Sequence, residues 1–297
     1  MRERQGGMNL LVFGFGYTAS RFVDLHRGRF ARVSGTVRSR EKAARLSGPD
    51  LTIRVFSPEE ADAEVWEDIA AADAVLVSVP PGPEGDPVLA RFADAIAAAP
   101  HLAWIGYLST IGVYGDQGGA WVDESGATRP GNARSQQRVE AENAWLALGQ
   151  ASGRPVQIFR LAGIYGLGRS PLRKLADGSA RRLVKPGQVF NRIHVDDIAA
   201  VLAASLDRAR PGAIYNVSDE EPAPPQDVVA FAAALAGVAA PAEEPFETAE
   251  LSPMARSFYG DNKRVRNRLI REELRVQLTF PTYREGLTAL RRAGEGP

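Results

Sequence analysis

The chain has 297 residues, 44% hydrophobic and 24% charged, enough for one large α/β domain or for a domain with a smaller partner. Lys and Arg number 36, as do Asp and Glu, so the formal charge is zero and binding to nucleic acid or a membrane surface has no electrostatic support. The absence of cysteine excludes disulfides and thiolate chemistry, and His26, His101 and His194 are too scattered for ligand spacing, so no metal site is expected. The opening MRERQGGMNLL is basic without a long apolar stretch, and no run reaches transmembrane length. A cytoplasmic protein without a signal peptide is expected.

Asn9 to Phe13 has the length and composition of a buried strand, and Thr18 to His26 follows as a helix with Phe22, Val23 and Leu25 as its apolar positions. Between them lies the glycine turn Gly14-Phe15-Gly16-Tyr17-Thr18-Ala19. A strand, a tight glycine turn and a helix N-terminus together make a dinucleotide phosphate site, because backbone N–H groups reach the pyrophosphate and the helix end carries positive partial charge. Ala19 stands at the third glycine position, where a small residue suffices for helix–strand packing.

Arg32 to Val37 reads as a second strand, Glu41 to Leu46 as the start of a helix, Leu51 to Phe56 as a third strand and Ala74 to Val79 as a fourth. Pro87 to Ala99 is a helix, Leu102 to Leu108 a fifth strand, Ser135 to Gln150 a long helix and Val156 to Leu161 a sixth strand. This alternation predicts an α/β fold, a Rossmann-type doubly wound parallel sheet of order 3-2-1-4-5-6. After Leu161 the rhythm breaks. Arg169 to Gln188 is basic and loop-rich, Val195 to Ser205 helical, Ala213 to Val217 a short strand, and Pro222 to Pro245 mixes proline with an alanine-rich helix. Lys263 to Leu274, Gln277 to Pro281 and Thr282 to Ala293 read as helix, strand and helix. Residues 8–168, with 189–220 returning to them, are therefore expected to form the nucleotide-binding domain, and 169–188 with 221–297 a smaller C-terminal substrate lobe.

The residues after the second strand choose the cofactor. An acidic residue there would bind both ribose hydroxyls of NAD. This strand instead ends Thr36-Val37-Arg38-Ser39-Arg40, and guanidinium groups match a 2′-phosphate bidentately. NADP (NADPH) is the expected cofactor, held by Arg38 first and by Ser39 and Arg40 second; a solvated basic turn is the bland alternative.

Three later stretches carry a resemblance: Tyr107-Leu108-Ser109-Thr110-Ile111-Gly112-Val113-Tyr114-Gly115, Phe159-Arg160-Leu161-Ala162-Gly163-Ile164-Tyr165-Gly166, and Asn191-Arg192-Ile193-His194-Val195-Asp196-Asp197. In that order after an N-terminal glycine turn, they resemble the extended short-chain dehydrogenase/reductases, a group of nucleotide-sugar epimerases, dehydratases and reductases, and within it the atypical YeeZ-like members. The likeness runs from about Leu10 to about Ser218, with a weaker echo at Phe280 to Leu287.

The resemblance implies a catalytic hydroxyl at Thr110, or else a strand-end Thr bonded to its own backbone. It implies backbone contacts from Tyr17 and Thr18 to the pyrophosphate, a nicotinamide wall at Val79, Pro80 and Pro81, and Ser109 beside the nicotinamide ribose. The family's Tyr and Lys fall, by alignment on Glu142, at Arg134 and Arg138. Arg138 can still bond ribose, whereas guanidinium cannot relay a proton near neutral pH. Arg134 is then a clamp for an anionic substrate group, or a solvated helix residue. Tyr165 is the first replacement acid, with packing as its alternative, and Tyr107, Tyr114 and Asp116 are weaker ones. Ile111-Gly112 lacks the acid/base pair of family dehydratases, and Phe190 stands where many nucleotide-sugar enzymes carry an Arg. Asn191, Arg192 and Arg169, with Arg173, Lys174 and Arg181, are candidate substrate contacts or simply solvated. His194 is expected to support the sheet, and Asp196 and Asp197 to cap a helix. Trp145 and Leu146 serve either a homodimer interface, as in the family, or the core.

Two functions remain. One is an NADP-dependent oxidoreductase or epimerase-like enzyme on a small polar, sugar-like or anionic substrate. The other is a non-catalytic NADP-binding sensor or regulatory protein that lacks the Tyr–Lys pair.

Overall fold

The apolar runs form the sheet that their spacing predicts. A computed structural model describes residues 7–297; the leader reading rests on the first six residues, which lie outside the described ones. Strands β1 (Met8–Phe13), β2 (Phe30–Val37), β3 (Leu51–Val55), β4 (Ala74–Val77), β5 (Trp104–Thr110), β6 (Val156–Leu161) and β7 (Ile214–Val217) lie in one seven-stranded sheet of order β7-β6-β5-β4-β1-β2-β3. The order is the expected one with β7 added beside β6. β1 runs parallel to β2 (Val12 opposite Gly35) and to β4 (Phe13 opposite Val77), and β4 runs parallel to β5 (Val77 opposite Tyr107). Helices α1 (Tyr17–His26), α2 (Arg40–Leu46), α3 (Glu64–Ala71), α4 (Pro87–Ala98), α5 (Ala133–Ser152) and α6 (Val195–Asp207) alternate with these strands. Leu10–Phe13 of β1 and the whole of β4 are continuous apolar runs because a parallel strand covered on both faces has no solvent side to keep polar.

The chain divides into two compact units, one formed by the chain to Thr110 with Ala133–Arg160 and Ile198–Tyr215, the other by Ile111–Asn132, Leu161–Asp197 and Asn216–Pro297. The chain crosses between the units first at the end of β5, and its later crossing after Arg160 lies near the expected boundary at residue 168. In the first unit Phe13 packs edge-on to Phe56 at 5.7 Å between ring centroids and tilted on Phe92 at 5.4 Å, and Trp145 is fully buried with them. Trp145 is therefore core, and its indole N–H donates to Asp86 Oδ2 at 3.1 Å. Leu25 is 44% exposed, so the buried apolar face of α1 is Ala19, Phe22 and Val23.

The second unit has its own core of Tyr165, Leu172, Val228, Tyr283, Leu287 and Leu290, built around α7 (Pro225–Ala236) and the terminal helix Tyr283–Arg292. Two expected elements differ here. Lys263 to Leu274 is no single helix, because Arg264–Val265 pairs with Trp121–Val122 as a short strand and only Arg268–Glu272 is helical. Gln277 to Pro281 is no strand; the Asp197 carboxylate accepts the N–H groups of Thr279 (2.7 Å) and Phe280 (3.1 Å) in place of a strand partner. That use of Asp197 displaces its expected capping role, and the Asp196 N–H turns back to His194 Nδ1 at 3.2 Å. No described helix is long and apolar enough to cross a membrane, and no cluster of three or more His, Cys, Asp or Glu among the described residues suits a metal.

Candidate functional site

The glycine turn leaves β1 at Gly14, whose φ of 87° favours glycine. A Cβ there would come within 3.0 Å of the Val79 backbone nitrogen, so glycine is what lets the turn pass the end of β4. Gly14 N donates to Thr36 Oγ1 at 3.0 Å and Phe15 N to Thr36 O at 2.7 Å, fastening the turn to β2. Phe15 is 5% exposed and packs on Gly35, where a Cβ would meet its ring at 2.7 Å. It therefore offers a ligand only its backbone. Gly16 is the N-cap of α1, and no side chain caps the helix. A Cβ at Gly16 would find only Gly14 O, 3.9 Å away. An open face over an uncapped helix N-terminus fits the pyrophosphate of a dinucleotide, whose charge such a helix end attracts.

The three candidate cofactor residues after β2 are not equivalent. Ser39 Oγ accepts Lys42 N at 3.3 Å as the N-cap of α2. Arg40 is bound by the Glu60 carboxylate and by Asp62 Oδ1 at 3.2 Å. Arg38 is exposed, and no side-chain hydrogen bond or ion pair engages it among the described residues. Of the two guanidinium groups expected at a 2′-phosphate, only that of Arg38 is uncommitted, because the segments following β2 and β3 lie side by side and supply Arg40 with acids.

The ends of the parallel strands β1, β4 and β5 put Gly14, Val79 and Thr110 on one edge of the sheet. Val79 and Pro81 are half-buried and Pro80 exposed just after β4. One face of α5 fastens successive residues of β5. Arg138 Nη1 donates to Tyr107 Oη at 3.1 Å and to Leu108 O at 2.9 Å. One turn on, Glu142 accepts the Ser109 hydroxyl and is itself bound by Arg160, with Nη2 to Oε2 at 2.7 Å. Ser109, Glu142 and Arg160 are all at most 5% exposed. The sequence places Ser109 beside the expected nicotinamide ribose and offers Glu142 only as an alignment marker; the signal for this clamp is a charged Arg160 inside a mostly apolar strand. Arg134, in the first turn of α5, is exposed.

The replacement acids fare poorly. Tyr107 is fully buried, and burial raises its phenol well above the ordinary value against the opposing pull of Arg138. Tyr114 donates to Asn216 Oδ1 at 2.8 Å. Asp116 is held below the carboxylate norm by the N–H groups of Asn262 and Gly118, so it stays ionised. Tyr165 is corrected to a packing residue. Its hydroxyl faces Thr282 O at 3.4 Å and abuts Gly286, a Cβ on which would collide with it. Burial first, then Asp219 and Asp197, push its phenol up. Its ring also stands edge-on to His194, the supporting role expected of that histidine.

The expected substrate contacts in the second unit are engaged elsewhere. The Asn191 amide accepts Val265 N at 2.8 Å and donates to Lys263 O at 3.0 Å, so it holds a strand. Arg192 Nη1 donates to Phe190 O (2.9 Å) and Ala223 O (3.2 Å). Arg181 pairs with Glu244, and Arg173 lies 3.8 Å from Asp177. Arg169 is an exposed turn residue whose N–H donates to Gly166 O at 2.9 Å.

Beside Arg192, the buried Asp219 keeps one carboxyl oxygen without a hydrogen-bond partner among the described residues, and burial pushes its pKa up to about 8 against the pull of Arg192. The folded state therefore holds a proton that the unfolded state has already released above the ordinary carboxylate range. Stability from this group is full at acid pH and is lost as pH rises toward about 8. Asp219→Asn is expected to unfold at a higher temperature than the parent at pH 9, with the gap closing at pH 5; melting curves across that range check it, and a constant gap would refute it.

No family model matches the chain. Protein YeeZ of Escherichia coli strain K12 is 30% identical over 198 residues, which are 64% of this chain and 69% of YeeZ. The structure of a conserved protein of unknown function from Silicibacter pomeroyi is 48% identical and superposes with a TM-score of 0.86 over 97% of this chain and 99% of that one. The NAD complex of dTDP-glucose 4,6-dehydratase from Bacillus anthracis has a TM-score of 0.77 over 97% of this chain and 98% of that one, at 16% identity, a likeness of fold. The ordered motifs, the sheet and the YeeZ relationship agree: the chain belongs to the YeeZ-like group of atypical extended short-chain dehydrogenase/reductases.

Proposed function

We propose that the protein is a cytoplasmic NADP-dependent oxidoreductase or epimerase-like enzyme acting on a small polar substrate, sugar-like or anionic. The observation that carries this reading is the open backbone face of Gly16 at the uncapped start of α1, with Arg38 where an NAD-binding carboxylate would stand. The NAD bound by the structurally similar dehydratase supports a nicotinamide dinucleotide as the ligand class. When bound, the nicotinamide supplies hydride transfer. The backbone from Gly14 to Thr18 holds the pyrophosphate and Arg38 the 2′-phosphate. Val79, Pro80 and Pro81 wall the ring, and Ser109 and Arg138 meet its ribose. Thr110 donates to or accepts from a substrate oxygen, and Arg134 clamps an anionic group. Homodimerisation through α4 and α5 belongs to the same reading.

Titration with NADPH and NADH tests it. The Arg38→Asp variant is expected to bind NADPH on the order of 30- to 100-fold more weakly, with NADH retained, since a carboxylate replaces a charge-assisted phosphate contact. Unchanged NADPH preference in that variant overturns the assignment.

The arginines at the family's Tyr and Lys positions and the buried phenols of Tyr107 and Tyr165 favour a second reading, a non-catalytic NADP sensor. Tight NADPH binding with no absorbance change across a panel of carbonyl compounds selects the sensor; turnover of any of them selects the enzyme.

A further inference from the structure

Arg40 opens α2 within the basic turn, yet its charge is committed. The segment after β3 that commits it is well braced. Phe56 N donates to Val37 O at 2.8 Å, tying this segment to the end of β2. Ser57 Oγ accepts the N–H groups of Glu59 (3.3 Å) and Glu60 (3.1 Å). Asp62 is fixed at both ends to one residue, its N–H donating to Val55 O at 3.0 Å and its Oδ2 accepting Val55 N at 2.7 Å. This leaves Asp62 Oδ1 for Arg40 Nη1, while Arg40 Nη2 donates to Glu60 Oε1. Two carboxylates thus surround one guanidinium, and the charges of Arg38, Arg40, Glu60 and Asp62 cancel. A 2′-phosphate held by Arg38 therefore gains little from the neutralised Arg40.

We propose that Glu60 and Asp62 form an acidic latch on Arg40 that sets the cofactor preference of this site, keeping discrimination for NADP over NAD modest by withholding the second guanidinium from the 2′-phosphate. The proposal rests on the NADP reading above. Glu60 is the adjustable half, because Asp62 also carries backbone structure while the Glu60 side chain is 52% exposed. Releasing it frees one arm of the Arg40 fork and removes one negative charge.

Calorimetric titration of NADPH and NADH against the parent, Glu60→Gln, Arg40→Ala and the double variant tests the latch. Glu60→Gln is expected to bind NADPH roughly three- to tenfold more tightly, as removal of one partly screened repulsive charge gives. NADH affinity stays within about twofold. Arg40→Ala, which removes one screened positive charge, weakens the parent's NADPH binding by no more than about three- to tenfold, and the same change made in Glu60→Gln abolishes the gain. A parent that prefers NADPH, with an unchanged NADPH/NADH ratio in Glu60→Gln, overturns the latch alone. Loss of NADPH binding in Arg40→Ala as large as in Arg38→Asp also overturns it, since Arg40 would then already be a phosphate ligand. A parent that prefers NADH overturns the cofactor reading together with the latch.

Discussion

Gly16→Leu is expected to abolish pyridine-nucleotide binding, weakening it by more than about a hundredfold, while the protein remains folded. The backbone at Gly16 has φ −110° and ψ −164°, extended values that any residue adopts. A Cβ there meets no protein atom closer than 3.9 Å, so the leucine side chain enters free space over the first turn of α1. Its cost to folding is the loss of a favourable N-cap, about 1 kcal/mol, or about 2–4 °C in the unfolding midpoint. Gly14 is a poor site for the same experiment. With φ at 87° and the Val79 nitrogen 3.0 Å from a notional Cβ, any side chain there strains the turn, and lost binding would be confounded with lost structure. Thermal melts paired with NADPH calorimetry separate the two effects. Parent-like affinity in Gly16→Leu would mean that the dinucleotide does not cross this turn.

What the sequence made legible follows the strength of each local signal. Strands β1, β4, β5 and β6 each carry four to six consecutive buried, mostly apolar residues, and the glycine turn sits at its required junction, so the sheet order could be read directly. Beyond Leu161 the strands other than β7 are two or three residues long and their partners are remote: Arg264–Val265 pairs with Trp121–Val122. Periodicity in so short a stretch favours whichever element its flanks suggest, and Lys263 to Leu274 reads as one helix for that reason. Side-chain destinations were less legible still. Arg38 and Arg40 look equivalent two residues apart, but only the pairing of β2 with β3 brings Glu60 and Asp62 to one of them. Asn191 and Tyr165 sit in motifs whose family members do chemistry nearby, and only the packing shows that their polar atoms are held by Val265, Lys263 and Thr282.

Arg160→Ala is expected to destabilise the protein by about 3–5 kcal/mol in urea or guanidinium unfolding, since it leaves the Glu142 carboxylate, 2% exposed, without its counter-charge. The double variant Glu142→Met/Arg160→Met should recover most of that loss. It removes both charges and fills the volume with flexible apolar side chains, and such replacements are commonly neutral or stabilising. A double variant as unstable as Arg160→Ala would show that the pair contributes net stability in its own right. The expected recovery leaves a question that stability does not answer, namely what a buried ion pair does that methionines would not. Glu142 has a third partner, the Ser109 hydroxyl, and one turn earlier Arg138 grips Tyr107 and Leu108. Through these bonds α5 fixes each residue that leads up to Thr110. In the double variant Ser109 loses its acceptor while the fold survives, so NADPH affinity should fall by about three- to tenfold at an almost unchanged midpoint, the size of one ordinary net hydrogen bond. A recovered midpoint with parental affinity would instead confine the clamp to a structural role.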